Sequence, residues 1–405
     1  MSKENRIGEK MRIGMFAWES LYSIKVGGMA PHVSELAEAL AKRGHEVHIF
    51  TRRGNFDAFD QINGVHYQRS ASDDRGDIVY QMDRMSEALF DSFERVQKIY
   101  GRFDIIHGHD WHPVPALHRI KEDYHLPYLL TIHSTEWGRN GGHFGNSNIF
   151  REISQRERTG IHESSQIIVA SERMQSEVRE IYSIPREKTA VIPNGIVQGK
   201  IHGSLEPQEA KDLRKSYDIG PQGQIVLFCG RMTYQKGPDL LVKAIPFILE
   251  KHRYMTFIFA GEGDMSSECE RLAKDLKIER VCRFLGYISG REKERLLGAC
   301  DIVCVPSRNE PFGIIILEAW DAGKPVVATE AVNIVRNFVD GLLAYIQPES
   351  IAWCISRLLD NPDEMKKQGL EGQRRIEAEF DWDRIAERTE AVYNKCLGAA
   401  NTDDA

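Results

Sequence analysis

Short apolar runs alternate along this chain with stretches in which apolar side chains recur every three or four positions. The short runs read as strands and the periodic stretches as amphipathic helices. Arg12-Ile-Gly-Met-Phe-Ala17 is the first strand candidate. A glycine-containing loop follows, and then a helix from about 30 to 43. In that helix Val33, Leu36, Ala37 and Leu40 keep helical spacing and Gly44 supplies the stop. Further strand candidates lie at 46–51, 104–107, 128–132, 166–170 and 189–192. Strands that alternate with helices predict a parallel sheet with right-handed crossovers.

Residues 200–222 are polar and mixed and read as a connection, after which the pattern restarts. Strand-like runs lie at 224–229, 256–260, 281–285, 302–305 and 325–328, with helical segments between them, such as 239–251 and 350–360. The expectation is therefore an α/β chain of two doubly wound, Rossmann-like domains facing each other across a deep cleft. The domains are 1–199 and 223–379, joined by the linker 200–222. A last helix, within 380–398, would pack back on the first domain, and 399–405 would form a tail. The ten polar residues at the start and the final five read as disordered. At 405 residues, 41% of them hydrophobic, the chain can bury two cores. It shows no short-period repeat.

Composition narrows the function. Lys and Arg number 53 against 60 Asp and Glu, a net charge of −7. That argues against a nucleic-acid binder or a protein docked on an anionic membrane. No apolar run approaches the ~20 residues of a membrane span, and the start does not read as a signal peptide. All seven cysteines lie after residue 228 and none forms a C-x-x-C pair. They read as buried free thiols in a reducing cytoplasm, and zinc is not expected. Oligomeric state is left open, a homo-oligomer included.

Candidate chemistry sits where predicted strands end, the place where open α/β sheets bind ligands. Lys25-Val-Gly-Gly28 joins the first strand to the first helix. Its glycines allow close backbone approach and the helix start offers N–H groups to an anion, although an ordinary tight turn explains it equally. It matches neither the dinucleotide fingerprint nor the P-loop. In Gly230-Arg231-Met-Thr-Tyr-Gln-Lys236-Gly237 two cations five residues apart follow a strand. They can converge on a phosphate pair, Arg as a planar fork and Lys as a point charge, or they can simply be solvated.

Glu310-Pro-Phe312-Gly313-Ile-Ile-Ile-Leu-Glu318 sets two carboxylates eight residues apart around a helix start. A carboxylate accepts from two adjacent hydroxyls, which suits a ribose diol or a sugar ring. The alternative is one surface and one capping glutamate. His133, in Thr131-Ile-His133, is placed to donate to a substrate hydroxyl or to steady developing charge, unless the backbone satisfies it. Gly138-Arg139-Asn140-Gly-Gly142 reads as a mobile acceptor loop. His107-Gly-His109-Asp110-Trp111-His112 fits no standard zinc spacing and reads as a strand-end loop with polar groups turned to the cleft. Pro193-Asn194-Gly195 reads as a domain exit.

Together these motifs resemble the retaining nucleotide-sugar glycosyltransferases of the GT-B fold, family 4. The N-terminal half is most similar to glycogen and starch synthases. The resemblance runs from about residue 11 to 397 and rests on Lys25-Val-Gly-Gly28, Thr131-Ile-His133, Pro193-Asn194-Gly195, Gly230-Arg231 with Lys236-Gly237, and the Glu310/Glu318 pair.

The resemblance implies roles. Arg231 and Lys236 would bind the donor diphosphate and stabilise it as leaving group. Glu318 would hold the ribose. Glu310 would contact the donor sugar beside the amides of Phe312 and Gly313. His133 would lie near the reacting carbon. Lys25, Gly27, Gly28 and Gly230 would complete the donor site. It implies a hexosyltransferase using a nucleoside-diphosphate sugar, ADP- or UDP-glucose first, a carbohydrate acceptor, no cofactor and no metal. Alternatives on the same fold are a nucleotide-sugar epimerase and a non-catalytic nucleotide-sugar binder. One segment departs from the family pattern. After Thr329, where a Gly-Gly pair and a Glu are usual, this chain reads Glu330-Ala-Val-Asn-Ile-Val-Arg-Asn-Phe-Val-Asp340.

Overall fold

The structure is a computed structural model that describes residues 10–25, 27–73, 75–201, 205–220, 222–288 and 290–403. The chain divides into two compact units, residues 1–195 with 382–405, and residues 196–381. The expected disorder of the lead and of the last two residues lies outside the described residues, as does Val26 of the first glycine loop.

The first unit holds eight strands: β1 (Arg12–Phe16), β2 (Glu46–Arg52), β3 (Phe59–Ile62), β4 (Val65–Ser70), β5 (Ile105–His109), β6 (Tyr128–Ile132), β7 (Gln166–Val169) and β8 (Thr189–Val191). Their order is β3-β4-β2-β1-β5-β6-β7-β8, parallel throughout except for the β3–β4 hairpin. Its helices are α1 (Met29–Lys42), α2 (Ile78–Tyr100), α3 (Val114–Tyr124), α4 (Glu136–Arg139), α5 (Asn148–Glu163) and α6 (Glu172–Tyr182). The hairpin was not anticipated. Its turn is Asn63-Gly64, both at positive φ, the conformation a two-residue hairpin loop requires.

The second unit has a six-stranded, fully parallel sheet. Its strands are β9 (Gln224–Cys229), β10 (Met255–Ala260), β11 (Cys282–Gly286), β12 (Ile302–Val305), β13 (Val326–Thr329) and β14 (Gly341–Ala344), in the order β11-β10-β9-β12-β13-β14. Around them lie α7 (Pro207–Ser216), α8 (Pro238–Leu249), α9 (Ser266–Asp275), α10 (Arg291–Ala299), α11 (Ile314–Asp321), α12 (Pro348–Asp360) and α13 (Pro362–Glu379).

Two expectations change here. The stretch 200–222 is more than a connection: it contains α7, whose Glu209 pairs with Arg291 on α10 at 3.0 Å. Leu213 is buried on its inner face, and the amides of Gly199 and Ile201 donate to Asp321 at 2.7 Å each. A surface helix with a single buried leucine looks polar in sequence, which is why it read as a linker. The last helix, α14 (Trp382–Asp403), runs into the expected tail. It belongs to the first unit, where Ile385, Ala386 and Tyr393 join the core that Val33 and Leu36 of α1 line. Arg43 anchors it with a bidentate pair to Glu390 at 2.6 and 3.0 Å.

Candidate active site

In the second unit the carboxyl ends of the strands carry glycine loops that touch one another. Gly230 follows β9 and its amide donates to Ala260 at 2.9 Å, while Met232 donates to Glu262 at 2.8 Å. A Cβ on Gly261 would lie 1.8 Å from the Gly230 carbonyl oxygen, and one on Gly263 would lie 2.2 Å from that of Met232. Gly261-Glu-Gly263 thus supports the loop that carries Arg231, a role the sequence reading did not foresee. Arg231 itself is exposed and has no ion pair among the described residues.

Lys236 ends a short turn of 3-10 helix (Tyr234–Lys236). Gly237 then takes φ +63°, and a Cβ there would stand 2.1 Å from the Pro306 carbonyl oxygen. Only glycine lets this turn rest against the end of β12. Arg308 fastens the turn from the other side. Its guanidinium lies 4.0 Å from the centre of the Tyr234 ring and grips Asp239 through two bonds of 2.8 Å. Fixed in this way, Lys236 reaches both oxygens of Glu310, at 2.8 and 2.7 Å. Glu310 is only 5% exposed, and Ser307 Oγ also donates to it at 2.9 Å. A buried carboxylate needs this compensation, since an unpaired charge there is costly.

Gly313 caps α11 at φ +93°, a left-handed conformation, and a Cβ there would press to 2.9 Å from Ile316 Cδ1 and 3.4 Å from Glu310 Cγ. Phe312 is buried and packs edge-on to Phe380. Glu318, on α11, pairs with Lys293 Nζ at 2.5 Å. Burial of Lys293 works against its charge, but the Glu318 carboxylate outweighs it and raises the ammonium pKa. Lys293 escaped the sequence reading because it sits in an ordinary-looking charged helix. Spacing does not reveal that α10 turns it toward α11.

The segment after Thr329 is packed rather than glycine-lined. Ala331, Val332, Ile334 and Val335 are buried while Glu330 is exposed. Asp340 closes the segment, accepting from the amide and the Nε of Arg336 at 2.7 Å each.

In the first unit, the loop before α1 is held by Glu19, which is buried and accepts from the Gly27 amide at 2.8 Å. Lys25, Gly27 and Gly28 are exposed, and Gly28 takes right-handed helical angles as the α1 cap. His133 follows β6. Its amide donates to Asp110 at 2.7 Å, and burial holds its ring neutral, with the pKa down to about 3. Its Nε2 lies 3.2 Å from His109 Nδ1, and its ring centre lies 4.6 Å from that of His32 on α1.

His107 and His109 do not form a loop turned outward. They lie within β5, the fifth strand of the sheet, and are fully buried. His107 is satisfied by Tyr393 of α14 at 2.8 Å and by Thr131 of β6 at 2.7 Å. A central parallel strand is covered on both faces, so polar side chains there must find internal partners. The supposed mobile loop at 138–142 is likewise pinned. Arg139 donates to Glu136 at 2.8 Å, to Glu157 at 2.8 Å, and to the carbonyl and hydroxyl of Ser134 at 2.9 and 2.7 Å. Among the described residues, His32, His109 and His133 form the one group of three or more ligand-type side chains able to converge on a metal ion.

Comparison with known proteins shows the family and the fold. Residues 26–198 match the family described as Glycosyltransferase Family 4, and residues 209–375 match Glycosyl transferases group 1. An uncharacterized glycosyltransferase of Methanocaldococcus jannaschii is 35% identical over 95% of this chain and 98% of its own length. The glycogen synthase of Mycobacterium tuberculosis is 29% identical over 95% of this chain and 94% of its own. Among solved structures, sucrose-phosphate synthase from Thermosynechococcus elongatus superposes with a TM-score of 0.80 at 22% identity, covering 96% of this chain and all of that one. The catalytic domain of starch synthase IV from Arabidopsis thaliana, bound to ADP and acarbose, superposes with a TM-score of 0.76 at 17% identity, over 96% of this chain and all of that one. The fold is that of the GT-B enzymes. The chain belongs to the family 4 glycosyltransferases. No helix among the described residues is long and apolar enough to cross a membrane.

Proposed function

We propose that this glycosyltransferase moves a hexosyl group, glucosyl first, from ADP- or UDP-glucose to a hydroxyl of a sugar or α-glucan, with retention at the anomeric carbon and without a metal. The observation that carries the proposal is Lys236 set on the buried Glu310, at the carboxyl end of the central strands β9 and β12, which also presents Arg231. A diphosphate arriving there meets two cations. It competes with Glu310 for the Lys236 ammonium, which frees a carboxylate to accept from sugar hydroxyls. Glu318, oriented by Lys293, accepts from the ribose diol. Phe312 and Gly313 contribute the start of α11, whose dipole favours the anionic donor. Gly230 leaves room beside Arg231. Lys25, Gly27 and Gly28 are assigned to the donor diphosphate and sugar, and His133 to the sugar near C1.

In the proposed step the bond from C1 to the diphosphate oxygen breaks while the acceptor oxygen bonds to C1 on the same face. The acceptor proton passes to the departing phosphate oxygen. Charge develops on the leaving group, where Arg231 and Lys236 stabilise it. Glu310 keeps the Ser307 hydroxyl and is assigned to accept from the sugar hydroxyls, which favours this route over attack by its carboxylate. The glycogen synthase relative and the ADP- and acarbose-bound starch synthase structure support donor and acceptor class.

The test is a panel of ADP-, UDP- and GDP-sugars with glucose, maltooligosaccharide and glycogen as acceptors, with anomeric analysis of the product. Transfer with retained configuration is expected. An isomerised donor points to an epimerase. Donor binding without turnover points to a non-catalytic binder, the outcome that the packed segment after Thr329 would favour.

A further inference from the structure

We propose that Phe338, Trp353 and Arg357 form a surface site that holds a neutral polysaccharide chain, apart from the site assigned to sugar transfer. The side chains come from the turn before β14 and from the outer face of α12. The Arg357 guanidinium carbon lies 5.4 Å from the centre of the Phe338 ring and 5.8 Å from that of Trp353, so the two rings share one patch. Phe338 is 51% exposed and Trp353 55%, and Val339, next in the chain, is exposed too.

Single exposed aromatic side chains are ordinary and need no account. Two observations set this pair apart. First, Phe338 takes φ +63°. Of the seven described non-glycine residues at positive φ it is the one apolar side chain, the others being Asn, Asp, His, Ser and Lys. A bulky residue in that conformation is strained, and strain survives only where the surroundings over-determine it. Here they do. The Phe338 amide donates to the Gly341 carbonyl at 2.9 Å, and Asp340 is held by Arg336 and by Arg375 Nη1, the latter at 3.2 Å. The turn thus keeps a phenyl ring half in water at a conformational cost that burial does not offset. Second, Arg357 is fixed between the rings by Glu364, which accepts from its Nη2 at 2.9 Å. The platform is ordered before a ligand arrives, and that lowers the cost of binding.

Charge and size select the occupant. Glu349, Trp353, Arg357 and Asp360 recur at helical spacing on α12, so its outer stripe reads acid, aromatic, cation, acid. With Arg357 paired to Glu364, the patch offers no cationic excess to a nucleic acid or an anionic membrane. A stable protein interface takes about 800 Å² from each partner, more than three half-exposed apolar side chains bracketed by charges supply. A hexose ring presents an apolar C–H face and a hydroxyl edge. The face stacks on the electron-rich surface of an aromatic ring, and the hydroxyls meet the donors of Arg357 and of the exposed Asn337. Two rings in one patch suit a chain of such units, and the family of this protein handles sugars. The turn of Phe338 lies at the amino end of β14, which runs parallel to β13, whereas Lys236 and Glu310 follow the carboxyl ends of β9 and β12. The patch is therefore separate from the donor site. A polymer tethered there gains effective concentration at the enzyme.

The test runs the full chain through native gels cast with glycogen or with hydroxyethyl cellulose, without any nucleotide sugar. Retardation by at least one of the two polymers is expected. Trp353→Ala should weaken it at least about 5-fold, as truncating an aromatic anchor does. Phe338→Gly should do the same without lowering the melting temperature, because glycine adopts that φ without strain. Tyr254→Ala, which removes a ring 74% exposed elsewhere on the same unit, should change nothing. Passage of the wild type unretarded through both gels overturns the proposal, and so does equal retardation of the wild type and Trp353→Ala. Two further results overturn it: a wild-type dimer in sedimentation that Trp353→Ala breaks apart, or binding to phosphatidylcholine–phosphatidylglycerol vesicles that Trp353→Ala abolishes. The first makes the patch a contact between copies, the second a membrane contact. No donor is present, so the result stands apart from the transfer reading.

Discussion

Replacing Arg139 by Met removes the cation from a buried acidic cluster and leaves its volume nearly filled. Arg139 is the partner of Glu136 and of Glu157, and Glu157 is 1% exposed. Burial pushes the Glu157 carboxyl up to about 7 even with Arg139 beside it. Without the guanidinium, Glu157 keeps only the Tyr182 hydroxyl at 2.5 Å and the Glu136 amide at 2.9 and 3.0 Å. Breaking a buried pair from one side costs about 3–5 kcal/mol, and that is the expected loss at pH 8.5.

The pH dependence has a definite sign. An acid whose folded pKa lies above its unfolded value stabilises the fold when protonated. That contribution declines as pH rises from the unfolded to the folded pKa and is flat above it. In the wild type the decline ends near 7. In the variant the folded pKa is higher, so the decline continues above 7. The deficit against wild type should therefore widen between pH 7 and 8.5, by at most about 1.4 kcal/mol per pH unit. Urea-dependent hydrogen exchange of peptides from α4 and α5 reads this unit alone. Glu157→Gln added to Arg139→Met should recover part of the loss and reduce the widening, the remainder coming from Asp110, which Arg139 also holds down. A deficit under about 1 kcal/mol, or one equal at pH 6 and 8.5, refutes the claim that Arg139 neutralises this cluster.

Lys236→Ala and Arg231→Ala should each lower kcat/KM for the preferred donor by roughly 10²-fold or more; normal turnover in both removes the donor assignment. Lys293→Met should raise the donor KM with little change in kcat, because it releases Glu318 without touching the leaving group; an unchanged KM disconnects Glu318 from the ribose. Gly237→Ala should cost about 2 kcal/mol or more, since the position is left-handed and its Cβ meets the Pro306 carbonyl; a wild-type melting temperature would contradict that packing. Transfer should survive EDTA; a strict divalent-metal requirement contradicts the leaving-group role given to Arg231 and Lys236.

Most strands were legible because buried parallel strands are continuous apolar runs, as at 224–229 and 302–305. The β3–β4 hairpin was not, since β3 is exposed in alternation and carries a weak apolar signal. Glu310 and Lys236 were singled out separately by strand-end position and residue type. Their pairing was not legible, because it depends on how Gly237 and Arg308 aim the turn.

Local order belongs to the one-dimensional pattern. It placed the alternating α/β elements, the restart of that pattern after residue 222, and glycines and charges at strand ends. These follow from periodicity and backbone chemistry within a few residues. The partners of each side chain belong to the tertiary fold. Helix α7 joins the second unit, α14 returns to the first, Lys293 finds Glu318, and three histidines from distant segments meet. Such contacts span up to 347 residues, as between Arg43 and Glu390. They are set by packing and by the need to satisfy every buried charge, conditions that a short stretch of sequence does not carry.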